Sequence, residues 1–324
     1  MGRYRMPRYS YHLSLAGTLV GAVVLLREYV GGKKYGGKEK LVGKTVIVTG
    51  ASSGIGKETA VELAKRGARV ILACRDEEKA TKVRAEIVVE TANRNVEVKK
   101  LDLASMASIR KFAKDIIINE RHVDILINNA GVMRCPKTLT EDGFEMQLGV
   151  NHLGHFLLTN LLLDKLKESQ PSRIITLSSV AHTRGKINFI DLNSSKDYDK
   201  AEAYNQSKLA NLLFTRELAK KLEGTKVTAN AVHPGIVNTD LGRHLSLKKS
   251  YFSWIFLGPF LWVFTKTPKQ GAQTTIYGAV NPGLENVSGK YYSNCKETKP
   301  SKDAQDDAAA KRLWLVSERW TRLS

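Results

Sequence analysis

A chain of 324 residues with 42% hydrophobic and 26% charged residues has the composition of a folded protein with a sizeable core, which excludes wholesale disorder. Its formal net charge of +19 suits anionic ligands or an anionic surface, but no basic stripe interleaved with aromatics and no nucleic-acid-binding motif is present, so no nucleic-acid partner is expected. Cys74, Cys135 and Cys295 are odd in number and far apart, which gives neither a disulfide framework nor a zinc spacing, and no metal is expected.

Residues 1–44 carry nine Lys/Arg against two acids, Glu28 and Glu39, so +7 of the +19 lies ahead of the main domain. The apolar run Leu13 to Leu26 is 14 residues by count, short of the ~20 that a straight membrane span needs. With its basic flank it reads as an uncleaved membrane anchor or a targeting sequence. The following "GGKKYGGKEK" reads as a flexible spacer, giving an N-terminal segment 1–40 and a domain from 41.

From Leu41 the pattern alternates. Short β-branched runs at 45–49, 69–73, 96–100, 123–128, 173–177 and 226–232 alternate with helical spacing at 57–66, 76–92, 105–119, 144–167, 202–222 and 268–280. Near-continuous apolar strands between helices predict a parallel sheet covered on both faces, a doubly wound Rossmann-type α/β fold. A short strand at 289–293 would make about seven. Beyond 295 the chain is charged and Ala-rich, with a helix expected at 303–320.

The first strand runs into "TGASSGIG", Thr49 to Gly56, and then a helix. Gly50, Gly54 and Gly56 let the backbone of this loop, with Ser52, Ser53 and Ile55, approach a pyrophosphate at the positive end of that helix. The second strand ends "ACRD", with Cys74 where an acid would select NAD; Arg75 can pair with a 2′-phosphate, favouring NADP. The alternative is a solvated Arg75 beside Asp76 as a helix N-cap. In "LDLAS", Asp102 either takes the adenine amino group or caps a helix. In "NNAG", Asn128 or Asn129 ties strands together, while Gly131 admits a ribose.

In "AYNQSKLAN", Tyr204 and Lys208 lie four apart on one helix face. An ammonium beside the phenol favours phenolate and brings a pKa of ~10 down, making an acid–base group for a carbonyl or alcohol oxygen.

"TGASSGIG", "NNAG", "NHLGHF", "LSSVAH" and Tyr-x-x-x-Lys, in this order, resemble the short-chain dehydrogenase/reductase family over about residues 41–295. The resemblance implies that Ser179 binds the substrate oxygen, Tyr204 is the acid–base, Lys208 its partner and the holder of the nicotinamide ribose, and Asn151 the proton-relay member. Of Ser178 and Ser179 the family pattern puts the catalytic one second, which selects Ser179 and leaves Ser178 to face back into the sheet, since successive residues alternate sides. "VHPGIVNTD", with Pro234, Gly235 and Thr239, matches the segment closing over the nicotinamide. "HTRGKINFIDLNSSKDYDKAE" lengthens the stretch between Ser179 and Tyr204, as in the retinol dehydrogenase subgroup.

That subgroup implies NADP(H)-dependent interconversion of retinal and retinol, favouring reduction, at a membrane, the inner mitochondrial membrane first and the endoplasmic reticulum second. Steroid or lipid-peroxidation carbonyls are the alternative substrates, and a non-catalytic nucleotide-sensing scaffold the alternative class. A homodimer would pair through helices 144–167 and 202–222. The oily "YFSWIFLGPFLWVF", inside an expected lid 240–267, is broken by Gly258-Pro259 and reads as an apolar substrate surface with Trp254 and Phe256.

Overall fold

The computed structural model describes residues 8–239, 241 and 262–323. Strands β1 (Thr45–Thr49), β2 (Arg69–Cys74), β3 (Val96–Lys100), β4 (Ile125–Asn128), β5 (Ser172–Leu177), β6 (Val227–His233), β7 (Tyr291–Ser293) and β8 (Lys296–Glu297) form one sheet in the order β3-β2-β1-β4-β5-β6-β7-β8. All pairs are parallel except β7 with β8. The eighth strand extends the expected seven, and it carries the sheet past the boundary expected at 295. Two exposed, charged residues held by pairing to β7 give no apolar signal in sequence.

The helices are α1 (Arg8–Gly31), α2 (Gly54–Lys65), α3 (Glu77–Thr91), α4 (Met106–Asn119), α5 (Gly154–Leu161), α6 (Leu163–Glu168), α7 (Lys200–Lys221), α8 (Pro268–Val280) and α9 (Asp307–Trp320). Alternate strand residues divide between the two faces, as a period of two requires. Val46, Val48, Val70 and Leu72 pack with α2, α3 and α8, whereas Ile47, Ile71 and Leu126 pack with α4, α5, α7 and α9. Both faces are therefore buried, which is why the strands read as unbroken apolar runs.

The helix expected at 144–167 is broken. One helical turn (Met146–Leu148) passes into a π-helical turn (Gly149–Leu153) before α5, and α6 follows separately. Apolar spacing does not register the extra residue that a π turn inserts.

The C-terminal helix starts at Asp307, after a 3-10 turn at Asp303–Gln305, and it is not a loose tail. Trp314 packs on Phe156 and Phe214 with ring centroids 4.8 and 5.9 Å apart. Arg110 donates to the carbonyls of Thr321 and Arg322 at its end, at 2.8 and 2.6 Å. Thus α9 covers faces of α5 and α7 that the sequence left open for pairing between copies.

At the other end, α1 exposes Leu15, Leu19, Val20 and Leu25. Among the described residues no helix is long and apolar enough to cross a membrane. The Gly/Lys stretch after α1 lies against the domain rather than free of it. Lys33 N donates to Asn294 Oδ1 and Tyr35 N to Gln273 Oε1, both at 2.9 Å, and Arg66 Nη2 donates to Gly37 O at 2.8 Å. Arg27 reaches Trp262, donating to its carbonyl at 2.8 Å with the guanidinium 3.6 Å from the ring centroid. Trp254, Phe256 and most of the expected lid lie outside the described residues.

Candidate active site

The carboxyl ends of β1 and β4 are neighbours, while the chain continues from them to opposite sides of the sheet, so a crevice opens between them. On the β1 side the backbone sets the shape. Gly50 sits at φ +66°, and a Cβ there would stand 2.9 Å from Ala130 Cα; a Cβ at Gly56 would meet Gly50 O and Asn129 Nδ2 at 2.5 Å. Only glycine fits those two positions. Ser53 is the extended N-cap of α2 without a side-chain hydrogen bond to its first turn, so those amides are left for another acceptor. A Cβ on Gly54 would be 3.1 Å from Thr239 Cγ2, which places that residue of the segment after β6 over this loop, while Gly235 lies against Lys266.

Thr49 belongs to the framework, being fully buried. Its hydroxyl accepts from the amides of Asn129 and Ala130, both at 2.9 Å, and meets His155 Nε2 at 2.9 Å. Burial pushes His155 down to about 4, so its ring is neutral. Its Nδ1 must donate to Asn151 O at 3.0 Å, which makes Nε2 the acceptor of the Thr49 hydroxyl. His155, quoted in a motif but given no role by sequence, thus links the glycine loop to the π turn.

Asn129 donates to Thr49 O at 2.7 Å, tying β1 to β4, while Asn128 donates to Thr159 Oγ1 at 2.9 Å. Arg75 is exposed at the end of β2, and Asp76 caps α3 by accepting from Lys79 N at 2.9 Å. Asp102 is half-buried and accepts from Ala104 N at 2.9 Å, but the N-cap of α4 is Ser105, so the capping reading of Asp102 is set aside.

On the β5–α7 side buried side chains set the shape. Ser178 is buried and donates to Lys208 O at 2.7 Å; Ser179, at the start of the turn Val180–Arg184, accepts from Ala181 N at 3.2 Å and stands close enough to Tyr204 to lower its phenol pKa. His182 Nδ1 donates to Ser179 O at 2.6 Å and its Nε2 accepts from Ser301 N at 3.2 Å, so the C-terminal segment fixes the serine turn. Lys208 Nζ lies 5.8 Å from the Tyr204 ring centroid and donates to Leu177 O at 3.2 Å.

Here the electrostatics depart from expectation. Burial pushes Tyr204 up to about 12, with the Ser179 hydrogen bond and then the Arg134 charge pulling back. Burial alone pushes Lys208 down to about 8. Desolvation outweighs the lysine's pull because its ammonium faces the Leu177 carbonyl rather than the phenolic oxygen. Tyr204 therefore stands as a protonated phenol at neutral pH.

Asn151 lies in the π turn, fully buried. Its Oδ1 accepts from Val132 N at 2.8 Å, and its Nδ2 donates to Val132 O and Ser207 Oγ at 3.0 and 2.9 Å. The side chain is thus a bracket between the segment after β4 and α7. It stands beside Lys208 all the same: a Cβ on Gly131 would lie 3.1 Å from Asn151 Oδ1 and 3.7 Å from Lys208 Nζ. Among the described residues no cluster of metal-ligating side chains occurs.

A glycine loop with uncapped helix amides facing a Ser–Tyr–Lys group is the architecture of a dinucleotide-dependent oxidoreductase, and a family model for short chain dehydrogenase matches residues 44–250. The chain belongs to that family. It is 56% identical over 320 residues to retinol dehydrogenase 13 of Mus musculus, covering 98% of this chain and 96% of that one. Retinol dehydrogenase 12 of Homo sapiens is 55% identical over 278 residues, 86% of each chain. Among solved structures, an uncharacterized protein from Mycobacterium paratuberculosis superposes with a TM-score of 0.72 at 37% identity, covering 90% of this chain and 98% of that one. The RhlG/NADP complex of Pseudomonas aeruginosa superposes at 0.62 with 26% identity, covering 78% and 95%.

Proposed function

We propose that this protein reduces retinal, or a similarly apolar aldehyde, to the alcohol with NADPH, and catalyses the reverse reaction less readily. The observation that carries the reading is Tyr204 and Lys208 buried together on α7, with the ammonium 5.8 Å from the ring centroid and Ser179 beside the phenol. A bound nicotinamide dinucleotide supplies the hydride. The two hydroxyls take the carbonyl oxygen, and Tyr204, protonated at neutral pH, hands its proton to the oxygen as charge develops there. That resting state suits reduction. Lys208, poised near 8, holds the ribose and strengthens its pull on the phenol as charge forms.

The site fits the dinucleotide, since Gly50 and Gly56 pack the loop against Ala130 and Asn129 with no side chain of their own and the first-turn amides of α2 have no side-chain cap. Gly50, Ser52, Ser53, Gly54, Ile55 and Gly56 would hold the pyrophosphate, and Asp102 the adenine. Asn129 and Gly131 would face the adjoining ribose, with Pro234, Gly235 and Thr239 over the nicotinamide. The exposed Arg75, with no acid at Cys74, favours the 2′-phosphate.

Retinoid specificity rests on similarity to the retinol dehydrogenases. The exposed apolar residues of α1 and the basic N-terminal region support attachment to a membrane surface, the inner mitochondrial membrane first. The test is kcat/KM with NADPH for retinal, a steroid ketone and a medium-chain aldehyde. Retinal should lead by about tenfold or more, in keeping with the 1–3 kcal/mol that apolar pocket contacts distinguish. A steroid ketone in first place would replace the substrate, and no turnover of any carbonyl would leave the scaffold alternative.

A further inference from the structure

His182 closes the stretch "LSSVAH", three residues beyond Ser179, and is buried. Burial keeps its ring below the ordinary histidine value, so it is neutral, and both ring nitrogens are engaged. Nε2 meets the backbone N–H of Ser301 at 3.2 Å, and because an amide N–H only donates, Nε2 accepts there. The ring proton then sits on Nδ1, which donates to Ser179 O at 2.6 Å. The tautomer is set from outside the serine turn.

The ring has little freedom to turn. Tyr291 of β7 meets it edge-on, with centroids 5.1 Å apart and planes at 72°. Ser301 is braced in its own turn: Gln305 Nε2 donates to Pro300 O and Ser301 O at 3.0 and 3.2 Å, and Ala304 N donates to Ser301 O at 3.2 Å. Behind that turn, α9 is anchored in the core through Trp314. Ser179 O also accepts from His182 N at 3.1 Å, and Ser178 on the other side donates from its amide to Val232 O at 2.8 Å and from its hydroxyl to Lys208 O. The backbone of Ser179 is thus held on both sides, and with it the direction of the Cα–Cβ bond that carries the hydroxyl.

We propose that His182 is a positioning residue for the reductase reaction: its ring, oriented by the Ser301 amide and the Tyr291 ring, holds the Ser179 carbonyl so that the Ser179 hydroxyl is aimed at the substrate oxygen. The inference rests on the substrate-oxygen role of Ser179 in the proposed function. His182 moves no proton itself, since both ring nitrogens are engaged with backbone groups. Its effect is on the fit of a donor to an oxygen that gains charge, where a misplacement of about 1 Å costs up to ~100-fold in rate. Ser301 lies in the stretch that reads in sequence as a charged tail, and through His182 that stretch supports the site.

The test separates the two ring nitrogens by kcat and KM for retinal reduction with NADPH. Glutamine puts its amide where Nε2 stood and keeps an acceptor for Ser301 N, but leaves Ser179 O without its side-chain donor. His182→Gln should therefore lower kcat about tenfold and change KM by less than about threefold. Asparagine puts an N–H donor where Nδ1 stood, so His182→Asn should bring kcat back to within about threefold of wild type, although Ser301 N loses its acceptor. NADPH affinity checks the fold of each variant, and His182→Leu, which has no donor either, replaces glutamine if that variant does not bind. A kcat in asparagine no higher than in the donor-free variant would overturn the proposal. In Ser179→Ala, His182→Gln should cost nothing further, because the hydroxyl that it aims is gone; additive losses would overturn the proposal alone. A wild-type rate in Ser179→Ala would instead overturn the substrate-oxygen role beneath it, and the proposal with it.

Discussion

The two walls of the crevice are made of different material. The β1–β4 wall is backbone: Gly50 and Gly56 have no space for a Cβ, Thr49 is spent on amides and His155, and Asn129 binds carbonyls. The β5–α7 wall is side chain: Ser178 is bonded to Lys208 O, Lys208 and Asn211 to Leu177 O, and Tyr204 is buried beside them. A backbone wall can present amides to any phosphate but moves no proton. A desolvated side-chain wall shifts Tyr204 and Lys208 far from their solution behaviour, which is what proton transfer needs. Damage to the first wall should therefore appear in binding, and damage to the second in chemistry.

Gly50→Val gives the sharpest break. Its branched side chain must enter Ala130 from a left-handed backbone, so dinucleotide affinity should fall about a hundredfold or more, measured by quenching of protein fluorescence. Affinity within threefold of wild type would mean that the glycine wall is not the cradle.

Arg75→Ala tests the end of the same wall. Loss of a charge-assisted contact should cost NADPH about tenfold in affinity and NADH little. Equal losses for both would remove the 2′-phosphate role.

An effect on stability, not on binding or rate, concerns the joint between the walls and the helix packed beside it. Burial lowers His155 to about 4 and His152 to about 3, below an ordinary 6.5. A depressed folded pKa contributes stability that is present above 6.5 and lost as pH falls toward the folded values. Below pH 6.5 the unfolded chain takes up the protons, and stability should fall by up to about 1.4 kcal/mol per pH unit for each histidine. Urea unfolding at pH 7 and pH 5 measures it, and equal midpoints would contradict the buried neutral state.

The difference between the walls also explains what could be read from sequence. Gly50, Gly54, Gly56, Tyr204 and Lys208 sit at fixed short spacings, because each group serves one turn or one helix face. The parallel sheet followed from near-continuous apolar strands between helices, since both sheet faces are covered. Residues acting across long separations gave no such signal: His155 with Thr49, Gln147 with Arg134, and His182 with Ser301. The π turn at Asn151 was hidden because its residues are as apolar as a helix requires. The depth of burial that reverses the expected tyrosine shift exists only once the sheet has formed.

The central claim is that Tyr204 moves the proton while the opposite wall holds the dinucleotide. Single-turnover oxidation of NADPH by retinal in Tyr204→Phe, with NADPH affinity measured on the same sample, tests it most directly. The account predicts affinity within about threefold of wild type and a rate lower by about a hundredfold or more, the scale of lost general acid catalysis. A near-normal rate with intact binding would contradict it.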